Sequence, residues 1–315
     1  MSAKLPILAL TLLAGSMSLL AQHSEVTRLD GSTVAPAEID ETVIRPMKAA
    51  EVPGVGLAVL NDRKICYLKS YGFRDIEKKL PLTVDSTMSG ASFSKVAFAY
   101  LVLQLADQGT LDLDKPVYQY LPKPLSDYPN YADLAGDPRY ARITARMLLS
   151  HTSGFPNWRY LEDDRKLRIH FEPGSRFAYS GGGIDLLQLV VETIAKQPLE
   201  NLMLEHVFQP LSMASSSMVW QPRFEGNYSN GYDQYGRSLG PQKRPTADAA
   251  GSLMTTPRDF VRFLQAVMAG QGLSKRMSEQ MLSPQIQIFS KYEFPTLDNA
   301  TTDENKTIRL SYGLG

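Results

Sequence analysis

The pattern of apolar and polar positions predicts a chain of mixed helices and strands. The run Val96-Ala97-Phe98-Ala99-Tyr100-Leu101-Val102-Leu103 continues through Ala106 and meets a glycine at Gly109. It reads as a mostly apolar helix with a glycine stop. Residues 36–44 read as a helix with Ile39, Val43 and Met47 along one side, its last turn disturbed by Pro46. Residues 55–60 and 64–72 read as two strands joined by a turn at Asn61-Asp62, hence an antiparallel hairpin. The first strand is nearly all apolar, the pattern of a sheet covered on both faces. Farther on, Thr144 caps a short helix that ends at Leu149. A helix is expected from about Ile184 to Lys196, with Leu187, Val190, Val191 and Ile194 inward, and a second from about Leu199 to Phe208. Thr256 caps another, with Pro257 in its first position, Asp259 at the box position and Phe260, Phe263, Leu264 and Val267 on its apolar side. A last amphipathic stretch runs from about Ser274 to Leu282. Residues 122–142 have no clear period and read as a surface excursion, a candidate cleft wall, and residues 220–248, rich in Tyr, Gly, Pro, Arg and Asn, read as turns and short strands over the site.

Targeting and composition narrow the picture. Lys4 precedes an apolar run from Leu5 to Leu20, with small residues near its end. The run is short for a membrane span and resembles a secretory signal over residues 1–21, cleaved after Ala21. A periplasmic or secreted protein is therefore expected. The single cysteine, Cys66, lies in a strand-like run and reads as a buried thiol. Lys+Arg and Asp+Glu number 33 each, so no charge bias points to nucleic acid. Four histidines, one cysteine and no H-E-x-x-H lead to the expectation of no metal and no cofactor.

The candidate chemistry sits at the start of the apolar helix. Ser92 and Lys95 are one helical turn apart in Ser92-Phe93-Ser94-Lys95, so both side chains can share a face. An amine packed among Phe93, Val96, Ala97 and Phe98 is partly desolvated and suited to take the serine proton. The plain alternative is an exposed serine beside a snorkelling lysine. His151, at a helix end among Ser150, Thr152 and Ser153, reads as a structural hydrogen-bonding residue rather than a base.

Four segments in order resemble the serine beta-lactamase-related family, which includes class C beta-lactamases, DD-peptidases and esterases. They are Ser92-Phe93-Ser94-Lys95 with Gly109-Thr110-Leu111-Asp112-Leu113; Leu148-Leu149-Ser150-His151-Thr152-Ser153-Gly154-Phe155; Phe171-Glu172-Pro173-Gly174 with Phe177-Ala178-Tyr179-Ser180; and Ala249-Ala250-Gly251-Ser252-Leu253-Met254 with Asp259 and Phe263. The resemblance implies an α+β fold, an antiparallel sheet flanked by helices with a mostly helical region at about 110–248 inserted. It implies Ser92 as the acylated nucleophile, Lys95 as its partner and Tyr179 as a proton-shuttling phenol. The Ser92 backbone N–H would be half of an oxyanion hole. The substrate implied is a small molecule or a short peptide or ester, D-amino-acid peptides, beta-lactams and peptidoglycan-related fragments included.

Two departures stand out. Gly181 occupies the position of the asparagine in the family's Y-x-N motif. The third motif, K-T-G or H-x-G, is expected after Tyr312-Gly313-Leu314-Gly315, so the domain at 22–315 is expected to be incomplete, poorly stable and nearly inactive. Both departures also fit a competing reading, a non-catalytic binding or sensing protein that kept the fold.

Overall fold

The computed structural model describes residues 25–291 and 300–315. The expected signal segment, 1–21, lies outside the described residues. In chain order the elements begin with β1 (Val26–Thr27), β2 (Thr33–Val34), α1 (Pro36–Ala49), β3 (Gly54–Asn61), β4 (Lys64–Asp75), β5 (Leu80–Pro81), β6 (Met88–Ala91) and α2 (Phe93–Asp107). Then come α3 (Ala145–Leu149), α4 (Gly181–Ala195), α5 (Leu199–Met203), β7 (Gly231–Tyr232), β8 (Ser238–Gly240), β9 (Leu253–Thr255) and α6 (Pro257–Ala269). The order closes with α7 (Lys275–Leu282), β10 (Ile286–Gln287), α8 (Glu304–Ile308) and β11 (Ser311–Tyr312).

Strands β3, β4 and β5 form an antiparallel sheet in that order. The hairpin turn is Asp62-Arg63, both with positive φ (48° and 66°), one residue later than the sequence suggested. Asn61 stays in the ladder opposite Lys64, and its amide also clasps the backbone of Thr27 in β1 through two 2.9 Å hydrogen bonds. Helix α1 covers one face. Ile39 packs against the cluster of Val26, Cys66 and Tyr67, and the Asp40 carboxylate accepts from Lys69 Nζ and the Tyr71 hydroxyl, both at 2.8 Å. Pro46 does not cut α1 short, because the Ala50 N–H donates to Pro46 O at 2.9 Å and closes the final turn. Helix α6 packs on β3 and β4. Gly56 permits this approach, since a Cβ there would lie 2.6 Å from Pro257 Cγ.

The expectation that β3 is buried on both faces is corrected. Its residues are half-buried, with Leu57 and Ala58 lining an apolar groove of about 360 Å³ together with Phe93, Phe260 and Leu264. Among the described residues its outer edge has no strand partner. Beyond that groove, β6 pairs antiparallel with β9 and leads into α2. Helix α2 is the centre of the molecule, buried from Ser94 to Leu105 except at Val96. A helix apolar on all sides belongs inside a core.

Between β6 and β9 the chain is mostly helical and turn-rich. Helix α4 starts at Gly181, three residues before the sequence placed it, because Ser180 Oγ accepts from Gly183 N at 2.8 Å and draws three glycines into the first turn. Thr144 and Thr256 cap α3 and α6 as expected, but the Asp259 carboxylate binds Ser215 N (2.7 Å) and Ser216 Oγ (3.1 Å) rather than closing a reciprocal box. The architecture is the expected α+β arrangement, an antiparallel sheet with helices packed on it and a mostly helical region inserted.

Candidate active site

Strand β6 delivers Ser92 to the surface through a strained joint. The β6–β9 register shifts between Ser89 and Ala91, and Ala91 takes φ 42°. Ser94 pins this corner, donating to Ala91 O (2.6 Å) and accepting from Leu253 N (2.8 Å). Ser92 then stands exposed at the N-cap of α2. Its backbone N–H has no acceptor among the described residues.

One turn on, Lys95 is 2% exposed. Its Nζ lies 3.2 Å from Ser92 Oγ and donates to the Ala250 carbonyl at 2.6 Å. Two aromatic rings complete its surroundings, with the Nζ 4.9 Å from the centroid of Tyr179 and 5.7 Å from that of Trp158. Lys95 takes part in no salt bridge among the described residues. The Ala250 peptide is itself anchored, its N–H donating to Asp248 Oδ1 at 2.7 Å. The structure thus brings Ser92, Lys95 and Tyr179 together.

His151 sets the segment that carries Tyr179. Its backbone carbonyl accepts from Ala178 N (2.9 Å) and its Nδ1 from Ser180 N (3.1 Å), so both neighbours of Tyr179 are held. With Nδ1 accepting, the neutral ring carries its proton on Nε2, which is buried without a hydrogen-bond partner. The imidazole lies against the Tyr179 ring at 4.3 Å between centroids. Complete burial, then the nearby charge of Lys95, push its pKa down to about 3. This is the structural histidine that the sequence suggested, and its clamp on Tyr179 was not foreseen.

Position 181 explains its glycine. A Cβ there would come 2.6 Å from Trp158 Cη2 and 2.8 Å from the Asn157 carbonyl oxygen. Trp158 therefore occupies the space beside Lys95 that a side chain at position 181 would need. Sequence reasoning missed Trp158, although the Gly181 departure was its trace. It also missed the Ala250 carbonyl and the carboxyl pair Asp185 and Asp248. Burial, then the charge of Asp248, push the Asp185 pKa up to about 7, with the charge of Lys95 acting in the opposite direction.

A family model described as Beta-lactamase matches residues 39–315. Protein flp of Staphylococcus aureus (strain MW2) is 24% identical over 239 residues, covering 71% of this chain and 45% of that protein. The chain thus spans about half the length of the curated relatives it matches. Among solved structures, the D-alanine carboxypeptidase AmpC from Burkholderia cenocepacia aligns with a TM-score of 0.64 at 25% identity, over 78% of this chain and 68% of that one. The D-amino acid amidase from Ochrobactrum anthropi SV3, complexed with L-phenylalanine, aligns with a TM-score of 0.61 at 25% identity, over 75% and 70%.

Proposed function

Because this chain belongs to the beta-lactamase family, we propose that it is a serine hydrolase that passes through an acyl-Ser92 intermediate on ester or amide substrates. The observation that carries the reading is Lys95, buried at 2% exposure with its Nζ 3.2 Å from an exposed Ser92 Oγ. In this reading Lys95 stays anchored to the Ala250 carbonyl at 2.6 Å while its Nζ faces the serine hydroxyl at 3.2 Å. Ser92 Oγ attacks the substrate carbonyl carbon and its proton passes to Lys95, directly or by way of Tyr179. The oxyanion that forms faces the unused N–H of Ser92 at the start of α2. Collapse breaks the bond to the leaving alcohol or amine, which receives the proton. Water then attacks the acyl-enzyme, and the same proton route runs in reverse.

Trp158 in the place of a motif amide makes this corner of the cleft aromatic. It favours esterase or peptidase chemistry over beta-lactam hydrolysis. The two solved relatives named above, a carboxypeptidase and an amidase, support the same side. The test is release of p-nitrophenol from short-chain acyl esters by the chain and by S92A. Turnover that falls by roughly a thousand-fold or more in S92A supports the reading. Equal turnover in the two proteins overturns it.

A further inference from the structure

Two stretches of chain lie side by side at the candidate active site. The turn at residues 151–157 supplies acceptors, and residues 178–182, which lead through Tyr179 into α4, supply donors. Ala178 N donates to His151 O and Gly182 N to Asn157 O, both at 2.9 Å. Ser180 Oγ donates to Pro156 O and Gly181 N to Asn157 Oδ1, both at 3.0 Å. Ser180 N donates to His151 Nδ1 at 3.1 Å. The bonds made by His151 fall on either side of Tyr179. One of them uses the imidazole, so a side-chain substitution removes it and leaves the backbone bond in place.

The backbone aims this ring. His151 has φ 55°, a left-handed conformation in which His and Asn are enriched, just past the end of α3. The residue is fully buried. Its imidazole lies 4.3 Å from the Tyr179 ring between centroids, with Phe177 at 6.0 Å and Tyr312 of β11 at 5.0 Å standing edge-on around it. The Tyr179 ring in turn lies 4.9 Å from Lys95 Nζ. We infer that His151 is a positioning residue for acyl transfer: its ring and its Nδ1 acceptor hold the Tyr179 phenol in register with Lys95 and Ser92. This rests on the hydrolase reading above and deepens it, adding a member that touches neither the substrate nor the nucleophile. Only a neutral ring can serve, since an imidazolium would set an N–H at Nδ1 against the N–H of Ser180. Burial, then the charge of Lys95, keep it neutral, with a pKa of about 3. A group misplaced by about 1 Å costs about a hundred-fold in rate.

The test is steady-state hydrolysis of p-nitrophenyl acetate by the unsubstituted chain, S92A, H151F and H151N, with kcat referred to the folded fraction from circular dichroism. H151F keeps an aromatic ring beside Tyr179 and lacks the acceptor. H151N loses the ring but places Oδ1 where Nδ1 was, and asparagine tolerates the left-handed backbone. H151F should lose about a hundred-fold in kcat with KM changed by about two-fold or less. H151N should return kcat to within about ten-fold of the unsubstituted chain. H151A, which lacks both ring and acceptor, replaces H151F in the comparison if H151F does not fold. In a Y179F background, H151F should change kcat by about two-fold or less, because no phenol is left to place. A folded H151F with undiminished kcat overturns the proposal. So does an H151N no faster than H151F, or a loss in Y179F as large as in the unsubstituted background. Turnover that needs Ser92 and ignores H151F keeps the hydrolase and removes the positioning role. Equal turnover by the unsubstituted chain and S92A removes the hydrolase, and the positioning role falls with it.

Discussion

Trp158 stands where a side chain on Gly181 would have to go. The indole comes within 2.6 Å of the ideal Cβ position at 181, and the same ring lies 5.7 Å from Lys95 Nζ. The pair is one structural choice rather than two. Placing asparagine at 181 should strain the site by about 1–3 kcal/mol, because the indole must move and the Asn157 carbonyl cannot. The double variant W158A/G181N should recover part of that loss, a positive coupling in a urea-unfolding cycle. Additive losses would show that the two positions are independent.

Lys95 is the group whose removal should cost activity without costing the fold. K95M keeps the volume and the apolar contacts of a buried side chain. It leaves the Ala250 carbonyl without its donor, a loss of about 1–3 kcal/mol. Ester turnover should fall by roughly a thousand-fold or more, while circular dichroism stays native. Steady-state kinetics on K95M beside a melting curve separates the two effects. A well-folded K95M with undiminished turnover would remove Lys95 from the chemistry.

His151 makes stability depend on pH in a stated direction. Its pKa is about 3 in the folded chain against an ordinary imidazole value of 6.5, so below 6.5 the unfolded chain binds the extra proton. The stabilisation from the neutral ring is therefore complete above 6.5 and is lost as pH falls toward 3. The unfolding free energy should drop across this window by up to about 1.4 kcal/mol per pH unit more than in H151N. Urea titrations of both proteins at several pH values check it. Parallel curves would mean that the ring does not titrate on unfolding.

Asp185 carries the opposite sign. Its folded pKa of about 7 lies above the ordinary aspartate value of 3.8, so the folded chain holds the proton more tightly. This contribution is complete below 3.8 and is lost as pH rises through 7. The facing groups are the carboxyls of Asp248 and Glu192, the Tyr131 phenol and the charge of Lys95. D185N, which cannot ionise, should melt above the unsubstituted chain at alkaline pH, and the difference should vanish in acid. Melting temperatures measured across that range decide it, and a constant difference would contradict the shift.

What the sequence made legible was local. Ser92 and Lys95 are a turn apart, and a turn is enough to place them side by side. Thr144 and Thr256 cap their helices within three residues, and the hairpin is fixed by two adjacent strands. What stayed hidden depends on contacts between distant segments. The carbonyl that holds Lys95 lies 155 positions away at Ala250, and nothing in a backbone carbonyl marks it in a sequence. Gly181 to Gly183 look like a loop by composition and become a helix turn only because Ser180 caps them. Asp185 reads as the polar side of an amphipathic helix, and only the fold sets it against Asp248. The family resemblance supplied the roles of Ser92, Lys95 and Tyr179, and those roles stand as proposals for chemistry.

The most direct measurement of the central claim is the intact mass of the chain after incubation with a fluorophosphonate, with S92A alongside. The account predicts one covalent adduct per chain, absent from S92A. A well-folded chain that gains no mass, or an adduct that persists in S92A, would contradict it, and the first result would bring the non-catalytic binding protein forward in its place.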